Sequence, residues 1–563
     1  PCAAMQVLLW LAPGETKEVT FLLGEGANRQ EALELIARFQ NIEQVQAAWE
    51  ALTEFWDNVL GTITVQAPDP AMNLLLNRWL LYQVLSCRVW GRSALYQPSG
   101  AFGYRDQLQD VMALLHAAPD LARDHILRAA RHQFEEGDVL HWWHPPLGRG
   151  VRTRISDDLL WLPFVTAHYV STTGDESLLR EKVPFLKGEP LKEGEEEHYE
   201  HYDPGSEEGT IYEHCLRALA KGTTTGPHGL PLIGGGDWND GMNRVGIEGR
   251  GESVWLGWFL YATLSRFSLL CERIGDGEKA AAYRQQAQDL CKALETNAWD
   301  GNWYLRAYYD DGTPLGSASA NECQIASIAQ SWAVLSGAGN SSTDCRVSQH
   351  AVQSMSAVAD KLVWPEQQLF LLFTPPFDKT FRDPGYVKGY PPGIRENGGQ
   401  YTHAALWAVW AFAELGQGDR AEALFRLLNP IYHADTPARM RNYRVEPYIV
   451  AADIYSVSPH LGRGGWTWYT GSASWMYRLG VEGILGVHRV GRALHIDPCI
   501  SKDWSSYELT YRDGETSYRI HVDNPDGVNR GVKRIMLDGD LLPKENVPLM
   551  DDGRQHEVHV IMG

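Results

Sequence analysis

The chain has 563 residues, 44% of them hydrophobic, so it can bury a large core and is long enough for two to four domains. Its formal net charge of −21 argues against nucleic acid as a partner, because the phosphate backbone would be repelled. Eight scattered cysteines without a C-x-x-C pair favour a reducing compartment over a disulfide framework or a zinc site. No signal peptide or membrane-spanning segment is visible in the sequence.

The N-terminal segment carries two patterns. Residues 5–23 alternate between apolar and polar around a Pro-Gly turn, which predicts a hairpin or the last strands of a β domain. Residues 29–60 have the period of an amphipathic helix. The chain begins at Pro1 in what reads as the middle of a strand, so we expect a fragment of a longer protein. We therefore assign 1–26 to the end of a truncated β-sandwich and 27–66 to a helical linker.

A long run of helical patterns occupies residues 67–485. The predicted helices span 71–90, 107–117, 119–135, 157–171, 208–220, 254–274, 277–297, 321–336, 348–361, 400–415, 418–429 and 469–482. No repeat of fixed period is present, which disfavours a solenoid. A dozen helices joined by long functional loops suggest a toroid of paired helices, an (α/α)6 barrel. Periodicity alone does not separate this barrel from an irregular helical bundle.

The pattern changes after Gly486 to short alternating runs divided by turn signals. This change predicts an antiparallel β domain at residues 486–563. The acidic segment 193–208 is predicted to be a solvated loop. The expected fold is thus mainly α, with β structure at both ends of the chain.

The most informative stretch is GGGDWND, residues 234–240, which sets Asp237 and Asp240 around Trp238 and Asn239. Sugar chemistry needs an acid to protonate a leaving oxygen and an aromatic wall to hold a ring. The alternative interpretation is an Asx-type loop whose Asp and Asn side chains only cap the following helix. The 21 Trp and 24 Tyr of the chain fit either a carbohydrate cleft or a large core.

This loop and four further segments resemble glycoside hydrolase family 94, the inverting phosphorylases of β-linked gluco-oligosaccharides. The further segments are GYRDQLQD from Gly103, HWWHPP from His141, RENGG from Arg395 with His403, and YTGS from Tyr469. Within the family, the likeness is to the C-terminal domain of cyclic β-1,2-glucan synthases, with β-1,2-oligoglucan phosphorylases a near second. The resemblance implies an N-terminal β-sandwich, a helical linker, an (α/α)6 barrel and a C-terminal β domain.

The resemblance also implies roles for the residues that contact the sugar. Asp240 matches the general acid, and the Glu of the RENGG segment, close to it, is expected to raise its pKa. The substrate-binding residues are then expected to be Asp106, Trp238, Asn239, Glu396, Trp142 and Trp143. Asp106 and Glu396 would bond sugar hydroxyls. For the two tryptophans of the HWWH segment, an aromatic wall is favoured over packing.

A second set of residues is implied to bind phosphate. A phosphorylase can dispense with a base carboxylate, because phosphate is itself an anionic nucleophile held by hydrogen-bond donors. The expected phosphate-binding residues are Arg105, His403, Thr470 and Gly471. Some family members carry an additional arginine a few residues upstream of Arg105. Residues 97–102, QPSGAF, contain none, so either Arg88, Arg92 or Arg105 would replace it, or phosphate would bind weakly.

Three hypotheses therefore remain: a β-glucan phosphorylase, an inverting hydrolase on the same fold, and a non-catalytic glucan-binding module. The phosphorylase is favoured, acting on β-1,2-glucan to give α-glucose 1-phosphate and, within a synthase, controlling chain length. Its expected partners are a β-glucan oligosaccharide and phosphate as co-substrate, with no cofactor, no metal and no nucleic acid. A cytoplasmic location follows from the cysteines, with missing N-terminal domains placing the chain at the inner membrane. A homodimer is left open.

Overall fold

The computed structural model describes residues 4–94, 97–98, 100–337, 349–543 and 546–563. Two compact units divide the chain, Pro1–Gly61 and Thr62–Gly563. Cys2 and Cys345 lie outside the described residues. The other six cysteines are free thiols.

The first unit contains the helices Arg29–Phe39 and Ile42–Leu60. Each helix begins at an asparagine, Asn28 or Asn41, whose side chain accepts a backbone N–H of the first turn. An Asn cap satisfies one of the donors that a helix start leaves free, so the sequence marks both boundaries.

The strands predicted within residues 5–23 do not form in the structure. Residues 4–28 carry a turn but no strand, and Trp10 and Leu23 are 83% and 104% exposed. A two-stranded hairpin without a third strand or a packing partner is marginal in water, which accounts for the difference. The alternating pattern alone therefore did not predict the local structure.

The second unit is rich in helices up to residue 485. Its α-helices are Pro70–Leu74, Leu80–Gln83, Tyr104–Val111, Pro119–Ala130, Trp161–Thr173, Ile211–Gly222, Val254–Arg273, Gly277–Asn297, Ser327–Leu335, Gln349–Leu362, Thr402–Glu414, Gly418–Leu428, Pro437–Tyr443 and Ser472–Arg478. Segments with π-helical hydrogen bonding, Leu75–Trp79, Val84–Trp90 and Leu479–Ile484, continue three of them. The helix predicted at 469–482 thus begins three residues later, directly after Gly471.

A cluster of tryptophans forms the centre of the helical region. Trp407 packs against Trp255, Trp332 and Trp475, with ring centroids 6.1, 5.3 and 5.5 Å apart. Trp238 of the GGGDWND loop packs on Trp407 at 4.8 Å. Large aromatic rings bury much apolar area, so this cluster is a major part of the core. Much of the tryptophan content is therefore core, and its edge reaches the loop that carries the predicted acid.

The helix Val254–Arg273 is the one helix of the described chain that is long and apolar enough to cross a membrane. An 18-residue stretch of this helix has a mean hydropathy of 1.3, and 83% of that stretch is buried inside the fold. Burial of this kind is expected for the central helix of a large core.

Mixed β structure follows the helices, rather than the purely antiparallel domain predicted. The longer strands are Val487–Val490, Ala493–Ile496, Ser506–Asp513, Thr516–Asp523, Val532–Leu537 and Gln555–Met562. Thr516–Asp523 and Gln555–Met562 pair in parallel. The strand Ile63–Gln66, expected to be part of a connection, pairs with Ser506–Asp513 at the sheet edge. Alternation identifies strands but not their direction or their distant partners.

Further strands lie on loops between helices. They include Leu140–His144, Arg149–Thr153, Lys182–Lys187, Glu197–His201 and Asp203–Thr210. The acidic segment 193–208, predicted to be a loop, thus forms most of two strands. Every residue of Glu197–His201 is exposed, so solvation was predicted correctly while the backbone conformation was not. Charged side chains on an exposed edge strand discourage pairing with other chains.

Candidate active site

The loop of residues 234–242 is shaped by its glycines. Gly234 and Gly236 have φ angles of 61° and 120°, which side chains other than glycine rarely adopt. A Cβ on Gly234 would lie 2.3 Å from the carbonyl oxygen of Arg154. The loop therefore needs glycine for its turn and for its close approach to the neighbouring backbone.

Asp237 is a structural residue of this loop. Its carboxylate is fully buried and forms two short bonds with the guanidinium of Arg306, Nη2–Oδ1 at 2.6 Å and Nη1–Oδ2 at 2.7 Å. The hydroxyl of Ser253 donates to Oδ2 at 2.6 Å, and the backbone N–H of Asn239 donates to Oδ1 at 3.1 Å. Such a saturated buried pair holds the backbone in place and leaves no oxygen for chemistry.

Asn239 caps the short 3-10 helix Asp240–Met242. Its side-chain oxygen accepts the N–H of Gly241 at 3.1 Å, and the residue is 3% exposed. The Asx-type interpretation therefore applies to Asp237 and Asn239. The described contacts of Asn239 are structural, and its predicted contact with substrate stays a prediction.

Asp240 differs from its neighbours because its carboxylate remains 29% exposed. Oδ1 accepts from Nη2 of Arg105 at 2.6 Å, and Oδ2 lies 3.5 Å from Nε2 of His141. Burial would raise the pKa of Asp240, but the positive charges of Arg105 and His141 lower it to about 2. The expectation of a raised pKa for Asp240 is therefore wrong, because the two adjacent cations outweigh the effect of burial.

Arg105 is held from several sides. Besides Asp240, its guanidinium contacts Oδ1 of Asp157 at 3.0 Å, the carbonyl of Asp237 at 3.1 Å, and Oδ1 of Asp158 at 3.7 Å. The helix Tyr104–Val111 carries it, and the residue is 7% exposed. Arg105 is thus fixed beside the acid rather than free in a phosphate pocket.

The structure brings the predicted sugar-binding residues to the same region. Burial and the negative charges of Asp240 and Glu396 raise the pKa of Tyr386, whose backbone N–H donates to Oδ1 of Asn243 at 3.1 Å. Glu396 is 17% exposed and lies 3.2 Å from Nε of Arg395. The side chain of Asp106 is 44% exposed. Tyr386 was not predicted, and its position beside the motif became visible only in the structure.

The two tryptophans of the HWWH segment have different surroundings. The ring of Trp143 is 2% exposed and stacks on His132 at 3.8 Å and on Phe102 at 5.6 Å. Trp142 is half-buried and packs near Tyr199 with centroids 5.4 Å apart. Neighbouring residues of a strand point to opposite sides, so one ring enters the core. The structure therefore contradicts a sugar-facing Trp143 and leaves Trp142 for that role.

His403 lies where the tryptophan core meets the loop. Its ring centroid is 5.1 Å from that of Trp238, and Nε2 is 3.1 Å from Oε1 of Gln109. The same oxygen accepts Nε1–H of Trp475 at 3.0 Å, while the amide nitrogen of Gln109 donates to a carbonyl. Because this oxygen can only accept, Nε2 of His403 must carry the hydrogen.

His403 is held neutral at ordinary pH. Burial and the positive charges of Arg88 and Arg105 lower its pKa well below the usual value. With Nε2 protonated, Nδ1 carries a lone pair. A Cβ on Gly471 would lie 3.2 Å from Nδ1, so this nitrogen borders the backbone at Gly471. His403 thus offers a hydrogen-bond acceptor beside that backbone.

Thr470 and Gly471 precede the helix Ser472–Arg478. The hydroxyls of Thr470 and Ser472 are 2.8 Å apart, and Thr470 accepts the N–H of Ser472 at 3.2 Å. Among the described residues, no acceptor is recorded for the N–H of Gly471. A hydroxyl and a free backbone N–H at this point can bind an anion.

Arg88 supplies a second cation to the same place. Its Nε donates to Asp110 at 2.7 Å, its guanidinium lies 4.2 Å from the ring centroid of Tyr469, and Nη2 is 3.9 Å from Asp106. Arg92 instead donates to backbone carbonyls and stacks on Phe102. Of the three arginines considered from the sequence, Arg88 and Arg105 are the two whose positive charges lower the pKa of His403.

Other residues of the site could not be predicted from their local sequence. Arg306 and Ser253 hold Asp237, Asp157 and Asp158 hold Arg105, and Gln109 holds His403. Their partners lie far away along the chain, so no spacing pattern reveals them. No group of three or more His, Cys, Asp or Glu placed to hold a metal ion is found within the described residues.

Comparison with known proteins identifies the family. The catalytic domain model of the glycosyl hydrolase 94 superfamily matches residues 55–486, and that family's supersandwich model matches residues 1–42. The chain belongs to glycosyl hydrolase family 94. The predicted family and the prediction of an enzyme of its type are confirmed. The supersandwich match includes residues 1–26, assigned to a β-sandwich, and extends into the segment 27–66 assigned to a linker.

Several curated relatives cover nearly the whole chain. The cyclic β-(1,2)-glucan synthase NdvB of Rhizobium meliloti is 49% identical over 96% of the chain, which spans 19% of that protein's length. The solabiose phosphorylase of Paenibacillus borealis is 32% identical over 98% of the chain and 67% of its own length. The 1,2-β-oligoglucan phosphorylase of Listeria innocua, predicted as a near second, is more distant, at 22% over 83% of the chain and 45% of its own length.

A solved structure shares the fold. The family 78 rhamnosidase of Bacillus sp. GL1 superposes with a TM-score of 0.51 at 13% identity, covering 83% of this chain and 43% of the rhamnosidase. At this identity the match concerns the fold alone.

Proposed function

We propose that the chain catalyses inverting phosphorolysis of a β-linked glucan, and the reverse synthesis, with Asp240 as general acid. The observation that supports the proposal is that the residues predicted to bind phosphate lie near a partly exposed carboxylate, that of Asp240. Trp238 packs on His403 at 5.1 Å and lies two residues before Asp240. Arg105 touches the acid, and its charge reaches His403. The acid and the pocket are therefore neighbours.

Phosphate would bind between His403, the Thr470 hydroxyl and the Gly471 N–H, with Arg88 and Arg105 balancing its charge. The lone pair on Nδ1 of His403 suits the P–OH group of monohydrogen phosphate. A phosphate oxygen would then attack the anomeric carbon while Asp240 protonates the departing oxygen. A single displacement inverts the centre, so a β-linked glucan would give α-glucose 1-phosphate.

The acid must be protonated to act, yet its pKa of about 2 keeps it ionised. A phosphate dianion beside Arg105 would offset the positive charge of that arginine and raise the pKa of Asp240. Phosphate binding would thus prepare the acid. Hydrolysis by water lacks this coupling, which favours the phosphorylase over the hydrolase.

The substrate is proposed to be β-1,2-glucan. The support is the 49% identity to NdvB, which is named a cyclic β-(1,2)-glucan synthase. In such a synthase, phosphorolysis would shorten linear chains and set their length. Other relatives, such as the diacetylchitobiose and solabiose phosphorylases, are named for other sugars, so we propose that linkage preference depends on loops around the acceptor.

Further proposals accompany this function. The helices of the second unit are proposed to form an (α/α)6 barrel, which the dozen predicted helices and the helix-rich second unit support. A place within a longer protein at the cytoplasmic face of the inner membrane is proposed from the likeness to the synthase. The six described free thiols fit that compartment.

Incubation with linear β-1,2-glucan, with and without phosphate, tests the proposal. Glucose 1-phosphate should form only with phosphate, and β-1,3- and β-1,4-glucans should react more slowly. Release of glucose at the same rate in phosphate-free buffer would favour the hydrolase. Glucan binding without turnover would favour a binding module.

A further inference from the structure

A histidine that the predicted site did not include lies between two carboxylates beside the general acid. His141, on the strand Leu140–His144, has Nδ1 2.8 Å from Oδ2 of Asp158. Its Nε2 lies 3.5 Å from Oδ2 of Asp240. The three side chains therefore form a line that ends at the oxygen expected to protonate the leaving group.

The ends of this line differ in exposure. The side chains of Asp158, His141 and Asp240 are 2%, 16% and 29% exposed, so exposure rises toward Asp240. An ionised carboxylate can only accept, so Nδ1 of His141 carries a hydrogen when it faces Asp158. The carboxylate orients the ring and directs Nε2 at Asp240. This arrangement is typical of histidines that transfer protons.

The charges around His141 favour its protonated form. Burial would lower its pKa, but the carboxylates of Asp158 and Asp240 hold it well above the ordinary value. Arg105 is the cation facing the same carboxylates, 2.6 Å from Asp240 and 3.7 Å from Asp158. Asp157 in turn holds Arg105 at 3.0 Å.

We propose that His141, oriented by Asp158, is a proton relay that recharges Asp240 during phosphorolysis. The inference rests on the proposed function and concerns the same acid. At the start of the proposed cycle Asp240 is ionised and His141 holds the proton. When a phosphate dianion offsets the charge of Arg105, the proton passes from Nε2 to Oδ2 of Asp240, and from there to the departing glycosidic oxygen.

The proton balance closes over one turnover. The departing oxygen takes the proton of Asp240 as the anomeric C–O bond breaks and the new C–O bond to phosphate forms. Ester formation allows the P–OH hydrogen of monohydrogen phosphate to be released, and its proton restores His141. No oxidant, metal or further reactant is required. His141 touches the acid and not the substrate, so it acts as a positioning and proton-supplying residue.

Two substitutions test the relay. His141→Gln keeps an amide near Nε2, and His141→Asn keeps a donor near Nδ1 for Asp158, but neither side chain can carry the proton. We expect kcat for phosphorolysis to fall at least about tenfold in both. KM for phosphate and glucan should stay near the values of the unmodified protein.

The pH profile of kcat separates a relay from a packing role. A raised pKa keeps His141 protonated, so activity should be retained above the ordinary histidine pKa of about 6.5 and be lost as pH rises through the raised value. In the His141 variants, which lack the imidazole, the alkaline limb of the kcat profile should move to lower pH by at least about one unit. Asp158→Asn should move it in the same direction by less, because His141 keeps Asp240 as a partner.

The leaving group provides a second readout. A dinitrophenyl β-glucoside releases a phenolate that needs no proton, so its phosphorolysis should change little in the His141 variants. His201→Gln is the matched control, since His201 is an exposed histidine 3.1 Å from Asp203. It should leave every parameter unchanged. Thermal unfolding of each variant identifies any loss of folded protein.

Two results would overturn the relay. One is a His141 variant that keeps both kcat and the alkaline limb of the unmodified chain. The other is an equal loss of rate on glucan and on the dinitrophenyl glucoside with an unmoved pH profile, which would show a merely structural role. Absence of glucose 1-phosphate from the unmodified chain would instead contradict the proposed function itself.

Discussion

Two aspartate–arginine pairs meet at one loop, residues 234–242, and they differ in what surrounds them. Asp237 and Arg306 have side chains that are 0% and 1% exposed, and they form two short bonds. Asp240 and Arg105 share one bond of 2.6 Å, and the side chain of Asp240 is 29% exposed. The first pair is closed to substrate, whereas the second opens to the cleft.

Residue type and spacing therefore do not assign a role to either aspartate of the GGGDWND segment. Both aspartates follow the same glycines and both meet a guanidinium. Asp237 is structural, because burial and full hydrogen bonding leave its carboxylate nothing further to bind. Asp240 is suited to proton transfer, because its side chain is partly exposed and a second titratable residue, His141, lies next to it.

The largest expected effect comes from Asp240→Asn. Asparagine has the same shape but cannot donate a proton to the leaving oxygen, so phosphorolysis and synthesis should fall about 10²–10⁴-fold. The fold should persist, because Arg105 keeps its bonds to Asp157 and to the carbonyl of Asp237. Turnover of purified protein, with its unfolding midpoint as control, measures both. Near-normal turnover would remove Asp240 as the acid.

Asp237→Asn should act on stability first. It leaves Arg306 buried without its counter-charge, and breaking a buried pair of this kind costs about 3–5 kcal/mol in the free energy of unfolding. Denaturant unfolding measures this cost. The double variant Asp237→Asn with Arg306→Gln should recover part of it, since no unpaired charge remains. A cost below about 1 kcal/mol would place this pair with surface ion pairs.

His403→Ala and Thr470→Val should affect phosphate more than glucan. Each removes one hydrogen-bonding group from the pocket, and a bond to a charged ligand contributes about 1.5–3 kcal/mol. Apparent phosphate affinity should thus fall about tenfold or more, while glucan affinity changes little. Saturation curves for each substrate decide this. Unchanged phosphate saturation with weakened glucan binding would reassign these residues to the sugar.

The smallest expected effect separates the two tryptophans of the HWWH segment. Trp142→Ala should weaken glucan binding by about two- to tenfold, the contribution of one aromatic contact. Trp143→Ala should instead lower stability by about 3–5 kcal/mol, because it removes a buried ring between His132 and Phe102. Isothermal titration and denaturant unfolding compare them. Equal effects of both variants on glucan binding would show that Trp143 also contacts the sugar.

Much of the site could be predicted because short segments carry it. The glycine turn before Asp237 and the dipeptide Thr470-Gly471 are local features of the sequence. The resemblance to the family shows that they occur in the family's order. The partners that determine behaviour are distant: Arg306 lies 69 residues after Asp237, and Arg105 lies 135 residues before Asp240. No local pattern encodes such pairs, so the direction of the pKa shift of Asp240 was predicted wrongly.

The fold shows the same division. Helices with apolar periodicity were predicted close to their observed bounds, as for Gly277–Asn297. Errors arose where tertiary pairing decides, as in the parallel pairing of Thr516–Asp523 with Gln555–Met562. The strand Ile63–Gln66 was missed because its partner lies more than 400 residues later in the chain, as the pairing of Ile63 with Tyr511 shows. Long-range sheet contacts leave little trace in local sequence.

The central claim is that phosphate, rather than water, attacks the anomeric carbon in one displacement assisted by Asp240. Time-resolved proton and phosphorus NMR of linear β-1,2-glucan with the chain tests it directly. The account predicts α-glucose 1-phosphate as the first sugar product, formed only with phosphate, and free glucose when arsenate replaces phosphate. A β-configured ester, or steady glucose release in buffer without either anion, would contradict it.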